Sequence, residues 1–214
     1  MDMLCPHFCY FCGSRGEILC SCCKKYLMSQ SECAVLRLED GKLAWSEDLA
    51  SNLPCPVVSY ARRNNEVFEL VKEYKYQSVR ALAEPLADCL KMAVMGLGLR
   101  GEVVVVSLPT AYKHIRARGF DHMRLIGEAL AMDCGWTCSA LLERRADTVQ
   151  VGTDSETRKI QAQSAYGVSK ELNPELQYLL LDDVWTTGSS MMAAINIMRK
   201  AGARRVCGAV ICRA

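Results

Sequence analysis

Two short, continuously apolar runs constrain this chain most: Val103-Val104-Val105-Val106 and Tyr178-Leu179-Leu180-Leu181. A strand with one wet face alternates apolar and polar residues, whereas a strand buried on both faces does not. Such strands need helices on both sides, and apolar stripes at helical spacing surround them. From Glu66, the residues Val67, Leu70, Val71 and Tyr74 recur at intervals of three and four. Val79, Leu82, Ala83, Leu86, Ala87 and Leu90 form a second stripe, with Ser78 as its cap. Pro85 falls inside that stripe and implies a kink or a later start. Further helices are expected over 123–132 and over Ser189–Lys200, the latter closing at Gly202 as a left-handed cap. A strand over 206–212 completes the pattern. Strands alternating with helices predict an α/β fold, a mostly parallel sheet flanked by helices.

The 214 residues suffice for one core, or for a modest domain plus a small module. Half are hydrophobic and 23% are charged, an ordinary globular balance that excludes a disordered tail protein. A net charge of +2 supplies no strong field toward nucleic acid or membrane. No run approaches the roughly 18 apolar residues of a membrane span. The first residues, MDMLCPHFCYFC, lack a basic stretch before an apolar one, so a cytoplasmic location is expected. Composition divides the chain into a cysteine-rich module (1–30), a polar connector (31–55) that ends in Pro54-Cys55-Pro56, and a main domain (56–214).

Seven of the thirteen cysteines lie in the first 33 residues, and an odd count cannot pair fully in disulfides. Cys9-Tyr-Phe-Cys12 and Cys20-Ser-Cys-Cys23 are two CxxC pairs separated by seven residues. Each pair brings two thiolates toward one ion, and two pairs give the closed tetrahedral set of structural zinc. A head this small cannot build its own core, so metal binding would fold it. Cys5, His7 and Cys22 are close enough in sequence to exchange with one member. An iron–sulfur cluster and a group of free, redox-active thiols are the other readings. Cys89, Cys207 and Cys212 fall in apolar elements and read as inert, and the remaining cysteines carry no readable role.

The second apolar run leads into Asp182-Asp183-Val184-Trp185-Thr186-Thr187-Gly188-Ser189-Ser190. The order is strand, paired acids, a small hydroxyl- and glycine-containing loop, then a helix. Ligands of open α/β sheets bind at this end of the strands. The helix N-terminus suits a phosphate, and Gly188 permits close backbone approach. Paired acids beside a phosphate cradle suit sugar hydroxyls or a divalent cation. This arrangement resembles the ribose-phosphate motif of type I phosphoribosyltransferases, which bind phosphoribosyl pyrophosphate (PRPP) with magnesium. The resemblance implies Asp182 and Asp183 as catalytic residues orienting the ribose hydroxyls, and Thr186, Thr187, Gly188, Ser189 and Ser190 as the 5′-phosphate cradle.

Nearly the whole chain is similar to the ComF/GntX family, whose members combine a four-cysteine zinc finger with a phosphoribosyltransferase-like domain. The matching elements are the cysteine head, Tyr74-Lys75-Tyr76, Val105-Val106-Ser107-Leu108-Pro109 and Arg116-x-Arg118-Gly119-Phe120-Asp121-His122. Arg144, Gln150, Arg158, Ala165-Tyr166, residues 181–190 and Ala201-Gly202-Ala203 continue the match. Ser107 replaces a proline, Asp121-His122 replaces Asn-Gln, Gln161 replaces an asparagine, and Trp185 replaces an aliphatic residue. Trp185 either narrows the pocket, stacks on a base or packs into the core. The family is associated with DNA uptake and natural transformation, which implies single-stranded DNA and a competence helicase as partners.

Lys113, His114, Arg116, Arg118, His122 and Arg124 lie within twelve residues against one acid, Asp121. Following a strand, they read as a pyrophosphate-binding loop centred on Arg116 and Arg118. A solvated loop and a nucleic-acid backbone contact are the competing readings. Lys75 either joins the pyrophosphate site or snorkels at its helix end. Residues 143–164 are polar and correspond to the hood that closes over the reaction centre in phosphoribosyltransferases. Purine-salvage enzymes often carry a carboxylate where Thr186 stands, and threonine is a poor base. The acceptor is therefore unreadable, and two functions stand: a phosphoribosyltransferase, or a non-enzymatic scaffold holding DNA or a helicase.

Overall fold

In the computed structural model, which describes residues 8–40, 42–48, 53–77, 79–145 and 166–214, the two apolar runs are adjacent parallel strands. Helix α1 (Ser21–Ser29) precedes a hairpin of β1 (Ala34–Glu39) and β2 (Lys42–Ser46). Strand β3 (Val57–Arg62), helix α2 (Glu66–Tyr76), a 3-10 turn (Arg80–Leu82) and helix α3 (Ala83–Met95) follow. Next come β4 (Val103–Ser107), the short α4 (Tyr112–Arg118) and α5 (His122–Cys134). The chain continues with β5 (Thr137–Cys138), β6 (Leu142–Arg144), β7 (Tyr166–Val168), β8 (Gln177–Trp185), α6 (Ser189–Lys200) and β9 (Arg205–Arg213).

Seven strands form one sheet in the order β2-β1-β3-β9-β8-β4-β5. The five from β3 to β5 are parallel, and the β1–β2 hairpin adds an antiparallel edge. Strands β6 and β7 pair separately. The continuous valines are explained by the layers. Val103 and Val105 enter a core shared with α2, α3 and α5, while Val104 and Val106 enter a second core against α6. Leu179 and Leu181 join the first core, and Tyr178 and Leu180 join the second. Each fully buried Val or Leu contributes about 1.5–3 kcal/mol, so a polar residue in either run would be costly.

The expected elements are present, with four differences. The second helix starts later than its stripe: Arg80–Leu82 is a 3-10 turn, and α3 begins at Ala83 with Pro85 in its first turn, where a missing N–H costs nothing. The stretch read as a polar connector contains β1 and β2, because Ala34, Val35 and Leu36 are buried beside β3. The basic stretch is a helix, α4, since 112–118 holds neither glycine nor proline. Strand β8 does not end at Leu181 but runs through both aspartates to Trp185, paired with β9 throughout that end. Ser78, Cys5, His7, Gln150, Arg158, Gln161, Ala165 and the hood expectation beyond residue 145 lie outside the described residues.

The cysteine head packs on the main body. Leu27 of α1 is fully buried, and its carbonyl accepts a hydrogen bond from Tyr60 Oη at 2.7 Å. Phe11 and Ile18 pack against the first core, and Lys24 forms an ion pair with Asp88 of α3.

Candidate ligand cavity and cysteine cluster

The C-terminal ends of β4 and β8 lie side by side, and the segments leaving them enclose a cavity of about 560 Å³. Its lining includes Lys75, Lys113, His114, Arg118, His122 and Arg144, against Asp182 as the acidic lining residue. Ser190 lines it from the start of α6. Such a basic cavity at this sheet edge favours a polyanion.

Successive strand residues point to opposite faces, so β8 separates the two aspartates. Asp183 faces α2 and α5. Its Oδ2 lies 2.6 Å from Lys75 Nζ and 2.5 Å from His122 Nε2. Burial alone would raise this carboxyl, but the His122 hydrogen bond and the Lys75 charge outweigh it and hold the group well below the usual carboxylate range. Asp182 lines the cavity itself. Burial and the adjacent Asp183 charge push its carboxyl up to about 7, partly offset by the Asp183 N–H and by Lys75.

Beyond Asp182 the chain forms a small cradle of about 40 Å³ lined by residues 184–191. Gly188 takes φ +74° and is the N-cap of α6, with no side chain capping the helix. The Ser189 N–H donates to Thr187 Oγ1 at 3.4 Å, and the positive end of α6 faces the cradle, which favours an anion. Thr187 Oγ1 and Ser189 Oγ are 2.9 Å apart. Trp185 is buried, packs edge-on against Trp45 at 5.5 Å, and lies against Gly188 so closely that a Cβ there would collide with its ring. Of the three places open to Trp185, the core is the one observed.

The turn between α4 and α5 brings the basic residues to the cavity. Gly119 ends α4 in the left-handed region, Phe120 packs on Tyr74, and Asp121 caps α5. Tyr74 Oη donates to the His122 carbonyl at 2.8 Å, which ties α2 to α5. Arg118 Nη1 lies 3.0 Å from His122 Nδ1, so Arg118, His122, Asp183 and Lys75 form one connected row. Arg116 is exposed and does not line the cavity, because two residues on a helix point about 200° apart.

Among the residues expected at the site, the structure thus gathers Lys75, Arg118, Asp182 and Ser190 on one cavity, with Asp183 directly behind. Arg144, which carries only a family echo in the sequence, joins them and stands over the Tyr166 ring at 6.0 Å. The bridging place of His122 has no local signal, since its partner is 61 residues away.

In the head, the Sγ atoms of Cys9, Cys12, Cys20 and Cys23 all lie within 4.8 Å of one another. Tetrahedral zinc with thiolates at about 2.3 Å sets its ligands about 3.8 Å apart, and Cys12 and Cys20 are separated by 3.6 Å. Burial would raise the Cys9 thiol, but the N–H groups of Cys12, Cys20 and Phe11 bring it down to about 6. The Cys23 thiol is pushed up by burial and by hydrogen bonds to the other three. Four thiols sharing protons at this spacing are a donor set that fits a metal ion. Cys22 is exposed and stands apart from the set.

No family model matches the chain, and no curated protein matches it either. Two solved structures are similar to 81% of it: the allosteric regulatory enzyme of purine biosynthesis, at 16% identity and a TM-score of 0.44, and glutamine phosphoribosylpyrophosphate (PRPP) amidotransferase from B. subtilis complexed with ADP and GMP, at 14% identity and 0.46. The chain spans 34% of the length of each. Among the described residues, no helix is long and apolar enough to cross a membrane.

Proposed function

We propose that the cavity binds a ribose phosphate carrying a pyrophosphate, PRPP with magnesium, and that the protein is phosphoribosyltransferase-like. The observation that carries this reading is the position of Asp182, shared by the cradle at the N-terminus of α6 and the adjoining cavity lined by cations. A ligand with phosphate at both ends and hydroxyls between them matches all three. Thr186 to Ser190 hold the 5′-phosphate through backbone N–H groups and hydroxyls. Asp182 and Asp183 orient the ribose hydroxyls. Arg118 and Lys75 take the pyrophosphate, with Arg116 at the outer side of α4. In a transferase, these residues would position the anomeric carbon and stabilise charge on the departing pyrophosphate. The cysteine set would hold zinc through Cys9, Cys12, Cys20 and Cys23, where the ion supplies a closed crosslink and no open position for substrate.

The resemblance to the ComF/GntX family sets this binding in DNA uptake. A second reading, a non-enzymatic holder of single-stranded DNA or a competence helicase, is favoured by one feature. Tyr76 and Tyr112 are over 70% exposed, Tyr76 lines the cavity with Lys113 and Arg118, and bases stack on such rings.

Calorimetric titration tests the first reading. Wild-type protein is expected to bind PRPP with magnesium at one site, and ribose 5-phosphate at least tenfold more weakly, since it lacks the pyrophosphate that the cations would hold. Asp182→Asn is expected to weaken PRPP by tenfold or more. Absence of wild-type binding, with retained binding of single-stranded DNA, would leave the scaffold reading instead.

A further inference from the structure

Four elements each send one side chain into a single row: Arg118 from α4, His122 from α5, Asp183 from β8 and Lys75 from α2. We infer that His122 is a positioning residue that assembles the two ends of the cavity as one unit, holding Arg118 for the diphosphate end and Asp183 for the sugar end. The inference rests on the reading of the cavity proposed above.

Hydrogen bonding permits one arrangement of protons. Arginine donates and never accepts, so His122 Nδ1, 3.0 Å from Arg118 Nη1, accepts and carries no proton. A carboxylate only accepts, so Nε2, 2.5 Å from Asp183 Oδ2, carries the proton and donates. Thr110 Oγ1 lies 3.3 Å from Nδ1 and 3.1 Å from Asp121 Oδ1. With the Nδ1 lone pair taken by Arg118, the threonine proton goes to Asp121. The neutral imidazole with its proton on Nε2 satisfies every partner.

The ring is fixed as well as fully used. The His122 side chain is only 6% exposed, and its own carbonyl is tied to Tyr74. Both ring nitrogens are committed to protein groups, so nothing remains for a ligand. The effect of His122 on binding therefore passes through Arg118 and Asp183. An apolar side chain would remove the acceptor that holds Arg118 and the donor that holds Asp183 together. Glutamine offers one donor and one acceptor on a similar reach and would serve both.

Two measurements test this. The first needs no ligand: long-range nitrogen–proton spectra of the imidazole at pH 7.5 are expected to show a proton on Nε2 alone. Arg118→Ala frees Nδ1 and is expected to give a mixture of tautomers. A proton on Nδ1 in the wild type overturns the proposal. The second is a double-mutant cycle read as PRPP–magnesium affinity by calorimetry. His122→Leu is expected to lose tenfold or more, and His122→Gln less than threefold. Arg118→Ala is expected to cost tenfold in the wild type and less than threefold on top of His122→Leu. Additive losses, or equal losses for Gln and Leu, overturn it. Thermal melts report folding; where the leucine variant does not fold, His122→Asn, too short to span both partners, takes its place with the same expectations. If the wild type binds no PRPP, the cavity reading fails, and the tautomer spectrum alone decides for or against the bridge.

Discussion

Lys75 Nζ lies 2.6 Å from Asp183 Oδ2, and this carboxylate is buried, so the pair is part of the fold as well as part of the cavity. Removing one member of a buried pair strands the other's charge, at about 3–5 kcal/mol. Lys75→Met strands a buried carboxylate, whereas Asp183→Asn strands an ammonium that can turn to solvent. Urea unfolding at pH 7.5 is expected to show a loss of about 3 kcal/mol for Lys75→Met and a smaller one for Asp183→Asn. The double variant should recover part of the larger loss. Equal, negligible losses would mean that the pair is not a structural element.

The pH dependence of Asp183 follows from its depressed folded value. Its stabilisation is present above the unfolded value, about 3.9, and is lost as pH falls through the folded one. Unfolding free energies of wild type and Asp183→Asn are therefore expected to converge only below about pH 4. Convergence at neutral pH would contradict the assigned partners.

Asp182 has the opposite sign. Its folded value, about 7, lies above the unfolded one, so between about pH 4 and 7 the folded state keeps a proton that the unfolded state releases. Stability then falls across that window and levels off above it. Asp182→Asn is expected to be more stable than wild type at pH 8, by about 1–3 kcal/mol, and equal to it near pH 4. The same variant is expected to lose PRPP binding. Denaturant curves at both pH values, with calorimetry at pH 8, check the pair of outcomes.

The contrast between these two neighbours shows where sequence reading stops. The strand carrying them was legible because its apolar residues are contiguous, and the cradle because Gly188 and the helix start follow directly. Their separation onto two faces was not, since it depends on β8 continuing through both acids alongside β9. The four-cysteine set was legible from spacing alone. The row from Arg118 to Lys75 was not, because its two links to Asp183 of β8, from His122 of α5 and from Lys75 of α2, span 61 residues and more in sequence. The β1–β2 hairpin escaped notice because its burial comes from pairing with β3 and not from a strong local pattern.

The cysteine set makes a separable prediction. Elemental analysis of protein purified without chelator is expected to give one zinc per chain. Cys12→Ser is expected to lose it, while Cys22→Ser, outside the set, retains it. Strong chelation is expected to lower the melting temperature, because the head's packing on α3 through Lys24 and on Tyr60 of β3 through Leu27 depends on a folded knuckle. A metal-free protein with an unchanged melt would refute the structural role.

Gly188 meets two requirements at once. Its φ of +74° costs a side-chain-bearing residue about 1–2 kcal/mol, and a Cβ would also strike the Trp185 ring. Gly188→Ala is therefore expected to destabilise by more than 2 kcal/mol, the backbone cost plus the displacement of a buried indole. It is also expected to reduce PRPP affinity, since the cradle backbone must move. Trp185→Leu in the same chain removes the collision but not the left-handed strain. The double variant should then recover stability only in part, and urea unfolding of all three proteins separates the two contributions. Full recovery would assign the whole effect to the ring; no recovery would assign it to the backbone of the turn that starts α6.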